Sequence, residues 1–131
     1  MTTKEKKVLI VDDSKNIRKL VSVVLGKIGY TYVEAGNGLD ALEKVGIERP
    51  DLVILDIIIP GVNGLKVCEE IRKNPKTKDI GIIILTSEAT YEAREEAHKA
   101  GADVYMTKPF EPNDLRAAAK EVLGRRNYVN N

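Results

Sequence analysis

Four short apolar runs in this chain each end in a polar or charged group. Val8-Leu9-Ile10-Val11 ends in Asp12-Asp13, and Leu52-Val53-Ile54-Leu55 ends in Asp56. Ile82-Ile83-Ile84-Leu85 ends in Thr86-Ser87, and Val104-Tyr105-Met106-Thr107 ends in Lys108-Pro109. Apolar runs of this length, rich in β-branched residues, predict strands buried on both faces of a parallel sheet. A further strand is expected over Tyr30–Ala35.

Between the runs the period changes from strand to helix. Ile17, Leu20, Val21, Val24, Leu25 and Ile28 lie on one face of a helix predicted from Ser14 to Lys27, with Gly29 at its stop. Helices are expected over 39–48 on Leu42 and Val45, and over 65–73 on Leu65, Cys68 and Ile71. Two more are expected over 88–100 and 113–123. The 88–100 helix offers only Ala89, Ala93 and Ala97 as an apolar face, which predicts weak anchoring and mobility. Five alternations of strand and helix predict an α/β fold, a doubly wound five-stranded parallel sheet with helices on both faces and right-handed crossovers. Met1–Lys6 is expected to be a disordered extension and 125–131 a polar C-terminal tail.

At 131 residues the chain is long enough for one domain with a real core. Its 21 Lys+Arg and 20 Asp+Glu leave a net charge of +1, without the basic excess of a general nucleic-acid binder. A single cysteine, Cys68, allows no internal disulfide and fits a reducing compartment. No apolar run reaches the length of a membrane span, and the start lacks the apolar core of a signal peptide. A cytoplasmic location is therefore expected.

In an open α/β sheet, ligands bind outside the carboxyl ends of the strands. Asp12, Asp13, Asp56, Thr86, Ser87 and Lys108 are thereby predicted to meet at one edge. Two like charges about 4 Å apart repel by roughly 4 kcal/mol at an effective dielectric near 20. Three carboxylates in one cleft therefore call for a cation, and oxygen donors without His or Cys favour Mg²⁺. The lone histidine, His98, falls on the charged fourth helix and is read as a solvated residue. A carboxylate beside Mg²⁺ can attack phosphorus, with Lys108 sharing the neutralisation of the phosphoryl oxygens. Thr86 and Ser87 could donate to those oxygens. Each residue also has a purely structural reading. Asp12, Asp13 and Ser14 are good N-caps, Asp56 is a good turn residue, and Thr86-Ser87 could cap the fourth helix. Lys108-Pro109 could be a strand exit, and Tyr105 half-buried packing. Their joint placement at strand ends favours the site.

The ordered set resembles the receiver domain of two-component response regulators. The carriers are Val8–Asp13, Leu55-Asp56 followed by Pro60-Gly61 and Asn63-Gly64, Leu85-Thr86-Ser87, Gly101-Ala102-Asp103 and Lys108-Pro109-Phe110. The resemblance covers about Lys7 to Leu123 and implies a receiver domain over 7–124 with flavodoxin-like strand order 2-1-3-4-5. It implies Asp56 as phosphoacceptor and Asp12, Asp13, Asp56 and the backbone carbonyl of Ile58 as Mg²⁺ ligands. Thr86 becomes the switch hydroxyl, Lys108 the phosphate-binding ammonium and Tyr105 the aromatic switch, beside the phosphate-binding reading of Thr86 and Ser87 given above. A cis peptide is implied before Pro109, since only X–Pro bonds reach cis at low cost. The phosphoryl group would come from a histidine kinase, a phosphotransfer protein or a small phosphodonor. Its effect would be read by a protein target on the face of the fourth helix, fifth strand and fifth helix. The only enzymatic activity implied is self-phosphorylation and self-dephosphorylation. No direct nucleic-acid or membrane binding is expected, and the state expected is a monomer or a weak phosphorylation-dependent dimer.

Some positions depart from the family pattern. Ile59 stands where many relatives carry Met. Ile58 and Glu88 sit where the family tunes dephosphorylation, and an apolar Ile58 implies a phosphoryl group of moderate or long life. Val104 replaces the second Asp of winged-helix regulators, which argues against a dimer through that face.

Other readings fit less of the chain. Gly36-Asn37-Gly38-Leu39-Asp40-Ala41 matches a loose dinucleotide-binding pattern, with Asp56 about twenty residues on. That reading leaves Asp12, Asp13, Thr86 and Lys108 without roles, and its glycines follow the second strand rather than the first. An aspartate-based phosphatase would carry a second acid two residues after its nucleophile, where this chain has Ser14 or Ile58. A degenerate receiver acting only as a binding module would not need the full set of site residues.

Overall fold

The structure, a computed structural model, describes residues 5–130. Its elements in chain order are β1 (Lys7–Val11), α1 (Lys15–Gly26), β2 (Thr31–Ala35), α2 (Gly38–Glu48) and β3 (Leu52–Leu55). They continue with α3 (Gly64–Lys73), β4 (Gly81–Thr86), α4 (Tyr91–Ala100), β5 (Val104–Thr107) and α5 (Pro112–Asn130). The strands form one parallel sheet of order β2-β1-β3-β4-β5.

Alternate residues of the apolar runs serve opposite faces, as the strand period requires. Leu9, Val11, Val53, Leu55, Ile82 and Ile84 meet Ala41, Val45, Val67, Cys68, Ile71 and Ala97 of α2, α3 and α4. Val8, Ile10, Leu52, Ile54, Ile83 and Leu85 meet Val21, Val24 and Leu25 of α1 and Leu115, Ala119 and Val122 of α5. All these strand residues are buried. Each large aliphatic side chain so placed contributes about 1.5–3 kcal/mol relative to exposure, which makes the three central strands the rigid frame of the molecule.

Several elements differ from the sequence reading. Leu20, expected on the buried face of α1, is 46% exposed, while Ser22 is buried and donates its hydroxyl to the Lys19 carbonyl. Satisfying its hydroxyl inside its own helix lets a serine replace a leucine at the packed face. The fourth helix begins at Tyr91 rather than 88, because the cap is Thr90, whose hydroxyl accepts from Ala93 N–H. The fifth helix does not stop at Leu123 but continues to Asn130, through most of the expected polar tail. Gly124 costs only about 1 kcal/mol relative to Ala inside a helix, and Arg126 beyond it is fastened to Asp103 at 2.6 Å. Of the expected extension at 1–6, residues 1–4 lie outside the described residues, as does Asn131 of the tail. Among the described residues no helix is long and apolar enough to cross a membrane.

Candidate functional site

Register brings the strand ends together. β1 and β3 pair with Val11 opposite Leu55, so the next residues, Asp12 and Asp56, emerge side by side, and Asp56 N–H donates to the Val11 carbonyl. β4 and β5 pair with Thr86 opposite Thr107, and Lys108 N–H donates to the Thr86 carbonyl. The Lys108–Pro109 peptide is cis.

The side chains then form one network. The Lys108 ammonium donates to Asp12 Oδ2 at 2.6 Å and to Asp56 Oδ2 at 2.7 Å. Thr86 Oγ1, fully buried, donates to Asp56 Oδ1 at 2.8 Å, and that oxygen also accepts from Ile58 N–H at 2.9 Å. Asp12 Oδ1 accepts from Ser14 N–H at 2.9 Å. Ser14, not Asp12 or Asp13, is the N-cap of α1, accepting from Ile17 N–H. The capping reading thus holds for one of its three candidates and leaves both aspartates available.

Carboxylate oxygens of Asp12, Asp13 and Asp56 lie within 4.8 Å of one another, the first and last buried and Asp13 exposed. Three acids face one ammonium, so the cleft is two positive charges short when all are ionised. The nearby guanidinium of Arg18 donates to the Asp12 carbonyl, but its charge is paired with Glu34 at 2.9 Å. No buried side-chain polar atom among the described residues lacks a hydrogen-bond partner. The deficit is therefore one of charge, not of hydrogen bonds, and a divalent cation on hard oxygen donors matches it. Burial pushes the Asp12 carboxyl above its ordinary range, against the pull of Lys108 and Ser14. For Lys108 burial acts to lower the pKa, but the bonds to Asp12 and Asp56 outweigh it and hold the ammonium above its usual value.

The remaining predicted residues divide. Ser87 is exposed and stands outside the bonded set. Ile58 is 54% exposed at the rim, between buried Ile57 and Ile59. Tyr105 donates its hydroxyl to the Glu88 carbonyl at 2.6 Å. Arg94 was not singled out by sequence reasoning, yet its guanidinium carbon lies 4.8 Å from the Tyr105 ring centroid. Its position on an exposed, charged helix carries no signal of that contact. Gly36 and Gly38 also meet the edge, but Gly38 serves packing: a Cβ there would fall 1.8 Å from the Val62 carbonyl oxygen. The second glycine of the dinucleotide-like pattern is thus required by the β3–α3 loop, without reference to a ligand.

Residues 8–120 match the family model of the response regulator receiver domain. The chain belongs to that family. A probable transcriptional regulator, ycf27 of Guillardia theta, is 46% identical over 127 residues, which are 97% of this chain and 48% of the relative. The chain thus spans about half the length of the curated relatives it matches. A putative response regulator of Chloroflexus aurantiacus has a solved structure similar at a TM-score of 0.88 and 35% identity, covering 92% of this chain and 99% of that one. The BeF3-activated DrrB receiver domain is similar at 0.82 and 34%, with 92% and 99% covered. The acidic cluster in this fold makes the chain a phosphoaccepting receiver switch, whose own chemistry is low-level self-phosphorylation and self-dephosphorylation.

Proposed function

We propose that Asp56 is the phosphoacceptor, served by Asp12, Asp13 and the Ile58 carbonyl as ligands of Mg²⁺. The observation that carries this reading is the Lys108 ammonium, bonded to both Asp12 and Asp56 in a cleft still two positive charges short. Bound there, Mg²⁺ supplies the missing neutralisation for carboxylates and phosphoryl oxygens alike. An Asp56 carboxylate oxygen forms the new O–P bond while the donor's bond to phosphorus breaks, and the leaving group departs with that electron pair. From a kinase or phosphotransfer histidine the leaving group is imidazole; from acetyl phosphate it is acetate. Lys108 follows the new negative charge, and Thr86 donates its hydroxyl to a phosphoryl oxygen. Charge-assisted hydrogen bonds contribute roughly 1.5–3 kcal/mol each, so two approach the ~5.5 kcal/mol that moves an equilibrium from 1:99 to 99:1.

The reporting face in this reading is α4, β5 and α5, and the partner on it is a protein. α4 is suited to move, since Ala97 and Ala100 are its only buried residues. The name of the Guillardia relative supports transcription as the output of a whole protein carrying this domain. A buried free thiol at Cys68 supports a reducing, cytoplasmic setting. Incubation with acetyl phosphate followed by intact mass tests the reading. One added phosphoryl group is expected with Mg²⁺, and none without Mg²⁺ or in Asp56→Asn. Equal uptake by Asp56→Asn would refute it.

A further inference from the structure

Tyr105 is held at two points. Its hydroxyl donates to the Glu88 carbonyl at 2.6 Å, and Glu88 N–H reaches Thr86 Oγ1 at 3.4 Å. Thr86 in turn donates to Asp56 Oδ1 at 2.8 Å. A continuous path of polar contacts therefore runs from the acceptor carboxylate to the Tyr105 ring. The second hold comes from α4. Arg94 lays its guanidinium over the ring, and its Nη1 points at the Tyr105 carbonyl oxygen 3.5 Å away. None of the ion pairs among the described residues involves Arg94. A guanidinium without a carboxylate partner is not drawn away from the negative face of an aromatic ring. α4 has few other means of holding β5, since only Ala97 and Ala100 of its side chains are buried.

We propose that Arg94 is a positioning residue of the switch. By stacking on Tyr105 it keeps the hydroxyl on Glu88, and through that loop it favours the arrangement in which Thr86 sits on Asp56. This rests on the phosphoacceptor reading given above. A phosphoryl group on Asp56 adds acceptor oxygens, and its beryllofluoride mimic adds acceptor fluorines, so either favours the same arrangement of Thr86. Coupling between two sites is reciprocal. Whatever Arg94 adds to the anchored state of Tyr105 therefore appears as tighter binding of the mimic at Asp56. A cation–π contact at an exposed site corresponds to about a two- to fivefold change in an equilibrium constant.

The test titrates beryllofluoride at fixed, saturating Mg²⁺ and follows backbone amide resonances of the full chain. Arg94→Ala is expected to weaken the apparent affinity about two- to fivefold. Arg94→Lys, which keeps the charge, recovers part of the loss. In a Tyr105→Ala background, Arg94→Ala changes nothing further. Tyr105 ring resonances are followed separately in protein free of Mg²⁺ and beryllofluoride, where Arg94→Ala is expected to shift them. Wild-type affinity in Arg94→Ala, or an equal loss with and without the Tyr105 ring, overturns the proposal. A wild-type protein that binds no beryllofluoride refutes the phosphoacceptor reading instead. The ring resonances still decide Arg94 in that case, since an unchanged Tyr105 signal in Arg94→Ala removes the contact on which the proposal stands.

Discussion

The two edges of the sheet are built from similar parts and balanced in opposite ways. At the carboxyl edge, Asp12 and Asp56 share Lys108, with the exposed Asp13 carboxylate within 4.8 Å of theirs. At the amino edge, Asp103 stands before β5 with two guanidiniums, Arg72 at 3.1 Å and Arg126 at 2.6 Å, and it also accepts from Ile82 N–H. Arg72 spends its other donors on the carbonyls of Lys78, Ile80 and Gly101. One acid matched by two cations and a backbone amide ties α3, β4, β5 and α5 together and leaves no negative charge over. Three ionised acids against one ammonium leave a deficit that a divalent cation can close. A partly buried carboxylate is thus neither structural nor functional in itself. The local charge balance decides which.

Removing an acid is expected to have opposite effects at the two edges. Asp103→Ala strands two guanidiniums that are 17% and 23% exposed and orphans the Ile82 amide. A loss of about 2–4 kcal/mol in urea unfolding is expected, with phosphoryl uptake preserved. A loss below about 1 kcal/mol would make the amino-edge network incidental. Asp12→Asn removes a charge from the crowded edge while keeping an oxygen for Ser14 N–H. Metal-free stability is expected to stay level or rise by up to about 1 kcal/mol, while Mg²⁺ affinity falls. A clear destabilisation of the metal-free protein would show that Asp12 holds the fold together rather than straining it. The smallest effect concerns Cys68, whose thiol donates to the Ala100 carbonyl and is pushed by burial to about 11. Iodoacetamide at pH 8 is expected to modify the native protein far more slowly than an exposed thiol, and Asp103→Ala somewhat faster. Equal rates in wild type and Asp103→Ala would mean that Arg72 and Asp103 do not guard α3.

How much of this was legible in the sequence follows from the range of the forces involved. The strands and their order of polarity are local patterns, and the parallel fold converts them directly into the meeting of Asp12, Asp56, Thr86 and Lys108. The resemblance to receivers drew on the same residues. What the sequence did not disclose depends on partners far along the chain. Nothing near Arg126 announces Asp103, and so the sequence pattern alone ends α5 seven residues short of Asn130. Nothing near Gly38 announces Val62, and so a packing requirement resembled a phosphate-binding glycine. Thr86-Ser87 and Thr90 are equally plausible caps by composition, and only the bond of Thr86 to Asp56 separates them. Arg94 carries no signal in the sequence, because a cation on an exposed helix is ordinary without the ring beneath it.

Phosphorylation is expected to fall on Asp56 and not on its neighbours. Borohydride reduces an acyl phosphate to an alcohol and leaves free carboxylates intact, so it marks the acceptor by converting that aspartate to homoserine. After exposure to acetyl phosphate and Mg²⁺, reduction and peptide mapping should find homoserine at position 56 alone. Homoserine at position 12 or 13, or none in a protein that has gained a phosphoryl group, would rule out Asp56 as the acceptor.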